Sequence, residues 1–502
     1  MQSVFNVGDD NFPFFSVDVR PETFMRFSAV HSESHVPGRH LNALLNAEDV
    51  TGVHVDEEGI ENHARAAFFS YSGLVPLPLN RDRVGGELSN FRAHNMREGF
   101  HALYALAKYR DSRRARELTE ASIETVFALW DGDKGWDSTR FDREHGIKVH
   151  PDQSFISGLA RAIGPLVKIY RATGYSRALE LAIVLKEKAV GEFFLGAGAY
   201  DPDTFGTHVH SVTCVMSSLA QLADLTSDAN LMGRVKSFYD NGLWEIRDEI
   251  GWSPEGSASR GANVPDQGEM NNSGDILETA LILGRWGYPE YFQDAERILR
   301  GHILPAQLRD NSFIEDPPNP EGEDGKRNVA ARLVGAFGFP APYGHDPVGQ
   351  HRMSFNLDVV GGTVASLCEA YREATRSDQS GNWVNLLFDH ETPDVKVESP
   401  YTHQALTITP KSDGPLFVRL PSWVQSREVG VKESEGGRPL GNGYLFFAQP
   451  SSSHTITIEF PLTIQEIVLK HRTRDIRVRL RGDEVVGMDN FGAGLTFFDP
   501  ID

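Results

Sequence analysis

A helical hairpin recurs six times along this sequence, and a chain written that way has few folds open to it. GRHLNALLNAEDVTG (Gly38–Gly52) and EGIENHARAAFFSYSG (Glu58–Gly73) space apolar residues by three and four and close on glycine, as paired amphipathic helices do. The pattern returns as NMREGFHALYALAKYR with RRARELTEASIETVFALW, and as SFISGLARAIGPLVKIYRATG with YSRALELAIVLKEKAVGEFF. It returns again as HSVTCVMSSLAQLADLTSD with ANLMGRVKSFYDNGLWEIRDE, and as SGDILETALILGRWG with PEYFQDAERILRGHILPAQL. GGTVASLCEAYREAT opens a sixth pair, whose second helix is expected around Ser380 to Leu386. First helices start near residues 40, 95, 154, 210, 273 and 361, at intervals of 55, 59, 56, 63 and 88 residues, which means stacked units rather than one irregular bundle. The first helix of each pair is the more apolar, so it is buried while its charged partner faces water. Six inner and six outer helices close into an (α/α)6 toroid; an open superhelix of helix pairs is the alternative.

From about Asp389 the texture changes to short β-branched and aromatic runs, among them VKVESPY, ALTITP, LFVRLPSW, GYLFFA, HTITIEFPL, IVLKH, IRVRLR and LTFFD. Their alternation and regular turns predict an antiparallel β-sandwich. The reading is therefore a mainly α chain with an all-β C-terminal domain: a lead segment over 1–37, a barrel over 38–388 and a sandwich over 389–502.

A net charge of -21 without a Lys/Arg cluster argues against nucleic acid and anionic membrane as partners. Cys214 and Cys368 lie in apolar helices, so no disulfide framework or cysteine-rich metal site is expected. With neither a leader pattern nor a long apolar run, the expectation is a cytoplasmic protein. A homodimer is left open.

Chemistry concentrates in the loops before the inner helices. These hold Arg92 and His94; His150 and Asp152; Asp201, Asp203, His208 and His210; Trp252, Glu255, Asp266 and Glu269; and Tyr343, His345, Asp346, His351, Arg352 and Asp358. The loops from inner to outer helices are short and bland, an asymmetry that suits a cleft on one face of the toroid. Carboxylates, imidazoles and aromatics around a cup suit carbohydrate chemistry, in which one acid protonates the leaving oxygen and a second carboxylate serves as nucleophile or activates water. Glu269 is the leading acid/base candidate, with Asp266, Asp358 or Glu255 as its partner. Asp266 also reads as a turn residue and Asp358 as a helix cap. His208, His210, Trp252, Glu255, Asn271, Tyr343, His351 and Arg352 are the expected substrate-binding residues. His208 and His210 form a conceivable zinc pair, but no third ligand is adjacent in sequence, so no metal is expected. No phosphate-binding loop or HExxH motif occurs, and no cofactor is expected.

Several segments carry a family resemblance. THVHSVTCVMSSLAQLADLTSD, PEYFQDAERILRGHIL, PLFVRLPSWV, GNGYLFF and TIEFPL, spread over roughly Gly206 to Asp483, resemble the β-L-arabinofuranosidase-like glycoside hydrolases, whose members join an (α/α)6 barrel to β-sandwich material. The resemblance places Glu269 where that family carries the Glu of a Glu-Thr-Cys zinc motif, with Asn271 in the place of the cysteine. It places DVVGG (Asp358 to Gly362) where the family has paired cysteines, one of them the nucleophile. Neither the zinc site nor cysteine-based double displacement carries over. The leading expectation is a metal-independent glycoside hydrolase releasing a terminal sugar from a glycan or oligosaccharide. The alternatives are β-elimination by a polysaccharide lyase using His210, His351, Tyr343 and Arg352, and a non-catalytic carbohydrate-binding relative.

Overall fold

The computed structural model describes residues 1–150, 154–256, 266–432, 436–452, 454–470 and 474–501. Helix α1 (Val36–Thr51) ends on Gly52 in the left-handed region, and α2 (Glu57–Ser70) starts where the Asp56 carboxylate accepts from the Glu58 amide. Next come α3 (Met96–Tyr109) with α4 (Arg113–Leu129), and α5 (Ile163–Thr173) with α6 (Ser176–Glu192). They are followed by α7 (Val209–Thr226) with α8 (Ala229–Asp240), and α9 (Met270–Arg285) with α10 (Glu290–Ile298). The last helix, α11 (Leu357–Ala374), runs directly into a strand at Thr375.

The inner helices α1, α3, α5, α7, α9 and α11 pack each on the next, and α11 packs back on α1, so the ring closes. Closure depends on backbone approach. A Cβ on Gly38 would lie 1.8 Å from the Glu98 carbonyl oxygen across the α1–α3 crossing, and one on Gly361 would lie 2.8 Å from the Arg39 carbonyl across the α11–α1 crossing. Only five of the six pairs are complete among the described residues. The segment expected to form the sixth outer helix is instead a strand, Gly381–Val384, whose Trp383 stacks on Phe417 at 3.9 Å. Its β-branched and aromatic residues find a sheet partner, and that contact overrides a weak helical pattern.

Two five-stranded sheets form the sandwich. Alternate residues such as Leu406, Ile408, Leu416, Val418, Ile456 and Ile458 fill the space between them. Pairing is antiparallel except between Gly381–Val384 and Leu416–Arg419, so the sheets begin at Thr375, ahead of the change of texture at Asp389. A third sheet (Ile464–Lys470, Asp475–Arg481, Glu484–Met488) does not join the sandwich core. Its Leu469, Ile476, Val478 and Leu480 pack against Ile250, Trp252 and Tyr343 of the barrel loops. LTFFD contributes only an isolated bridge, Gly344 to Thr496.

The lead segment packs on the barrel. Strand Ser16–Arg20 pairs antiparallel with Met353–Asn356, just before α11, and the Leu357 amide donates to the Phe15 carbonyl at 2.7 Å. This ladder carries residues 28–35 across the amino-terminal ends of the inner helices. No helix among the described residues is long and apolar enough to cross a membrane.

Gly38→Ala is expected to lower the unfolding free energy by about 2 kcal/mol or more, because only a backbone shift can relieve its clash. Gly191→Ala on α6, with open space around it, is expected to be neutral or stabilising. Thermal unfolding of both variants checks the contrast.

Candidate functional site

Every inner helix delivers polar side chains to the same end of the ring. His35 precedes α1 and Arg39 lies in its first turns; Asn95 precedes α3, with Arg97 and Glu98 next. Arg161 comes from the turn Leu159–Ala162 before α5, and His208 and His210 from the start of α7. Glu269, Asn271 and Asp275 come from the start of α9, and Asp358 from that of α11.

Glu98, wholly buried, is the hub. Its Oε1 accepts from Arg161 Nη2 at 2.8 Å and from Arg39 Nη2 at 3.0 Å, and Arg97 Nη1 lies 3.5 Å away. Burial disfavours its charge, but Arg161, His35, Arg39 and Arg97 outweigh that and hold the carboxyl well below its ordinary range. Arg39 also sits 3.6 Å from Asp358, and Arg97 donates to Asp275 at 3.3 Å.

Two other carboxylates of this cluster sit in opposite electrostatic conditions. For Asp358, burial is opposed by a 3.1 Å hydrogen bond from His35 Nε2 and by the fields of His35, Arg39 and His31, which together leave its pKa lowered. His35 is fixed for this: its Nδ1 meets Asn95 Oδ1 at 3.0 Å, and Asn95 is oriented by donating Nδ2 to the Val30 carbonyl. Glu269 is pushed up to about 8, first by burial and then by the charge of Glu255, with a smaller push from Asp358, against Arg39 and an Asn271 Nδ2 bond of 3.0 Å. Its backbone is pinned where its amide donates to Ser253 O and the Gly268 amide donates to Pro340 O.

Imidazoles line the rest of the cup. His210 lies 3.4 Å from both Glu269 and Asp275, and burial with Arg39, Arg161 and Arg97 nearby keeps it neutral. His94 bonds the Ser157 carbonyl through Nδ1 at 2.8 Å, stacks on His35 at 5.3 Å and contacts His208 at 5.4 Å. Phe15 of the lead segment stacks on His31 at 4.3 Å. Buried Asp358 Oδ1, Asn271 Oδ1 and Arg39 Nη1 have no hydrogen-bond partner among the described residues. Such unspent polar capacity beside neutral imidazoles matches a ligand rich in hydroxyls.

In the cup, among the described residues, two groups have ligand atoms close enough together to share one metal ion: His208, His210 and Glu269, and His31, His35 and His94. The third partner for the His208/His210 pair, absent from the neighbouring sequence, comes from α9. A thiolate zinc centre does not fit. Asn271 spends its amide on Glu269, and Cys214 and Cys368 are buried further along α7 and α11.

Other expected site residues do not join the cup. Asp266 is buried where Tyr343 OH donates to it at 3.0 Å and Arg474 approaches to 3.3 Å. Trp252 donates Nε1 to the Pro340 carbonyl at 2.8 Å. These three build the seam under the C-terminal sheet, so Asp266 does not partner Glu269, and Trp252 and Tyr343 position the loop that holds it. Arg352 binds Asp18 of the lead segment at 2.7 Å, and His351 is exposed. The set named for β-elimination is therefore dispersed among different partners. Asp152 and the loop residues 257–265 lie outside the described residues. His31, His35, Arg39, Arg97, Glu98, Arg161 and Asp275 are the members that the loop-by-loop reading missed. For Arg39, Arg97, Glu98 and Asp275 the signal was charge inside the first turns of otherwise apolar helices, while His31, His35 and Arg161 lie in the segments just before them.

No family profile and no curated protein matches this sequence. Solved structures do. A family 127 β-L-arabinofuranosidase from Geobacillus stearothermophilus T6 superposes with a TM-score of 0.58 at 14% identity, covering 91% of this chain and 77% of that one. A second family 127 β-arabinofuranosidase gives 0.58 at 14% identity, covering 89% and 74%. A protein described as a glycoside hydrolase gives 0.57 at 12% identity, covering 97% and 85%. At such identity the likeness is one of fold: the chain is an (α/α)6 barrel with β-domains of the kind these enzymes have.

Glu98→Gln strands two buried guanidinium groups and is expected to cost about 3 to 5 kcal/mol of stability. Glu98 has a lowered folded pKa, so its contribution is present above its ordinary value of 4.5 and is lost as pH falls through the folded value. Urea unfolding between pH 3 and pH 7 is thus expected to show a steeper acid loss for the parent than for Glu98→Gln.

Proposed function

We propose that this protein is a glycoside hydrolase that releases a terminal sugar by carboxylate acid/base chemistry without a metal. The observation that carries the reading is the divergent tuning of two buried carboxyls at one mouth: Glu269 pushed up to about 8 and Asp358 held low. Environments that separate paired carboxyls in this way assign the acid and the anion. At neutral pH Glu269 keeps its proton and can give it to the glycosidic oxygen as the bond to the anomeric carbon breaks. Asp358, oriented by His35 and Arg39, faces the positive charge that develops on the sugar, as nucleophile or as the base for water. His94, His208, His210 and Asn271 supply donors and acceptors for ring hydroxyls. The named activity of the neighbouring structures makes β-L-arabinofuranosides the first substrates to try.

Glu269→Gln is expected to lower kcat on an unactivated glycoside by about 10²- to 10⁴-fold. On a dinitrophenyl glycoside, whose leaving group needs no proton, the loss is expected to shrink. Because the active form carries the proton, kcat/KM should hold below pH 8, fall as pH rises through the Glu269 value, and lose that limb in Glu269→Gln. Equal losses on both leaving groups, or an unchanged basic limb, contradict the assignment.

A metal at His208, His210 and Glu269 would require the Glu269 carboxylate and remove the acid. Dialysis against EDTA is therefore expected to leave the rate unchanged, and a rate that falls and returns with zinc contradicts the metal-free reading.

A further inference from the structure

A second recess opens beside the cup, between α4 and α5. Trp130–Asp131 and Gly135–Trp136 form a minimal antiparallel ladder in which Trp130 lies opposite Trp136, so both indoles project to one face. The turn between them is held by Asp131 Oδ1, which accepts from the Asp133 and Lys134 amides at 3.0 and 2.9 Å. Trp136 is braced edge-on by Phe91 at 4.8 Å, and Trp130 stacks with Phe155 at 6.0 Å. All three rings of the recess (Trp130, Trp136 and Phe155) are half-buried, facing a cavity of about 400 Å³ whose rim carries Asp133, Ser138, His150 and Ser154.

The partition between recess and cup is a single residue thick. Ala93 lines the recess while the next residue, His94, stacks on His35 in the cup. On the facing segment Ser154 and Leu159 line the recess, while the carbonyl of Ser157 between them holds His94. Arg92 and His150 meet at this partition, Nη2 to Nε2, at 2.6 Å.

We propose that the recess is a carbohydrate-binding subsite for the sugar next to the one in the cup, so that the substrate is an oligosaccharide or glycan chain rather than a small glycoside. The inference rests on the reading of the cup as a glycosidase site and names the class of substrate it takes. A sugar ring presents an apolar C–H face and a rim of hydroxyls. Two indoles and a phenyl ring match the face; serine hydroxyls and a carboxylate match the rim. The volume lies within the range of small-ligand sites. Of the two lysines on the lining, Lys188 is spent on Glu192 at 2.6 Å, and Asp133 stands beside Lys134. The shared wall of Ala93 and His94 sets the recess beside the cup.

The test uses the full chain carrying Glu269→Gln, so that ligands are not consumed, and follows tryptophan fluorescence with arabinose, xylose, glucose and mannose and their linear tetrasaccharides. At least one tetrasaccharide is expected to bind about tenfold or more tighter than its own monosaccharide, the order of one aromatic contact. Trp136→Ala, and Ser138→Trp, which fills the recess from its exposed lip, are both expected to collapse that preference towards one. The second variant keeps the test decisive if removing Trp136 disturbs packing on Phe91. Absence of any tetrasaccharide preference, or a preference that survives in both variants, overturns the subsite. If the preference behaves as expected but the parent chain cleaves none of these tetrasaccharides and no aryl glycoside, the subsite stands and the hydrolase reading falls.

Discussion

The architecture turns on a carboxylate that water never reaches. Glu98 lies at the meeting point of three arginines, Arg39, Arg97 and Arg161, drawn from α1, α3 and the turn before α5. Amino-terminal helix ends already concentrate positive potential, so three guanidinium groups there would be costly without a buried anion to receive them. Glu98 removes that cost for the helices that supply them, and α9 extends the network through Asp275 on Arg97. The same charges divide the remaining acids. Asp358 gains a hydrogen bond from His35 as well as the field of Arg39, whereas Glu269 has Arg39 and Asn271 against burial and two other carboxylates.

The two flanking structures serve this arrangement from outside. Pairing of residues 16–20 with 353–356 carries His31 and His35 over the ring, the first of them stacked on Phe15. On the other side the sheet over 464–488 packs on Ile250, Trp252 and Tyr343. A Cβ on Gly268 would come within 2.4 Å of Trp252 Nε1, so the chain leading into Glu269 runs flat beneath that indole. The aromatic residues of this seam therefore hold the acid in place and need not touch sugar. The sandwich is tied on separately, through buried Arg419, which bonds the Gln293 and Glu296 side chains of α10.

Much of this was legible in the sequence because it is written locally. Apolar spacing and closing glycines such as Gly52 and Gly174 mark the helix pairs, five of them complete, but starts expected near 40, 154, 273 and 361 lie at Val36, Ile163, Met270 and Leu357. Alternation in LTITP marks a strand with one buried face. The sixth outer helix was misread because the fate of NWV depends on Phe417, more than thirty residues on. The site was legible as a set of loops but not as a geometry. Glu269, His208, His210 and Asp358 were found from their place before inner helices, while Asp266, three residues from Glu269, turns into the seam to meet Tyr343. His35 reaches Asp358 across more than three hundred residues of sequence, and no local pattern announces that pairing.

The proposed chemistry requires Glu269 to be protonated at neutral pH while Asp358 is not. Infrared difference spectroscopy across a pH titration reads this directly, since a protonated carboxyl absorbs apart from carboxylate. Burial also pushes Asp248 up to about 8 and Glu33 up to about 7, so the expected signal is a partial loss: the carboxylic-acid absorption at pH 7 shrinks in Glu269→Gln but not in Asp358→Asn, and the lost part titrates around pH 8. A Glu269→Gln spectrum whose carboxylic-acid absorption at pH 7 equals that of the parent would contradict the assignment of Glu269 as the acid.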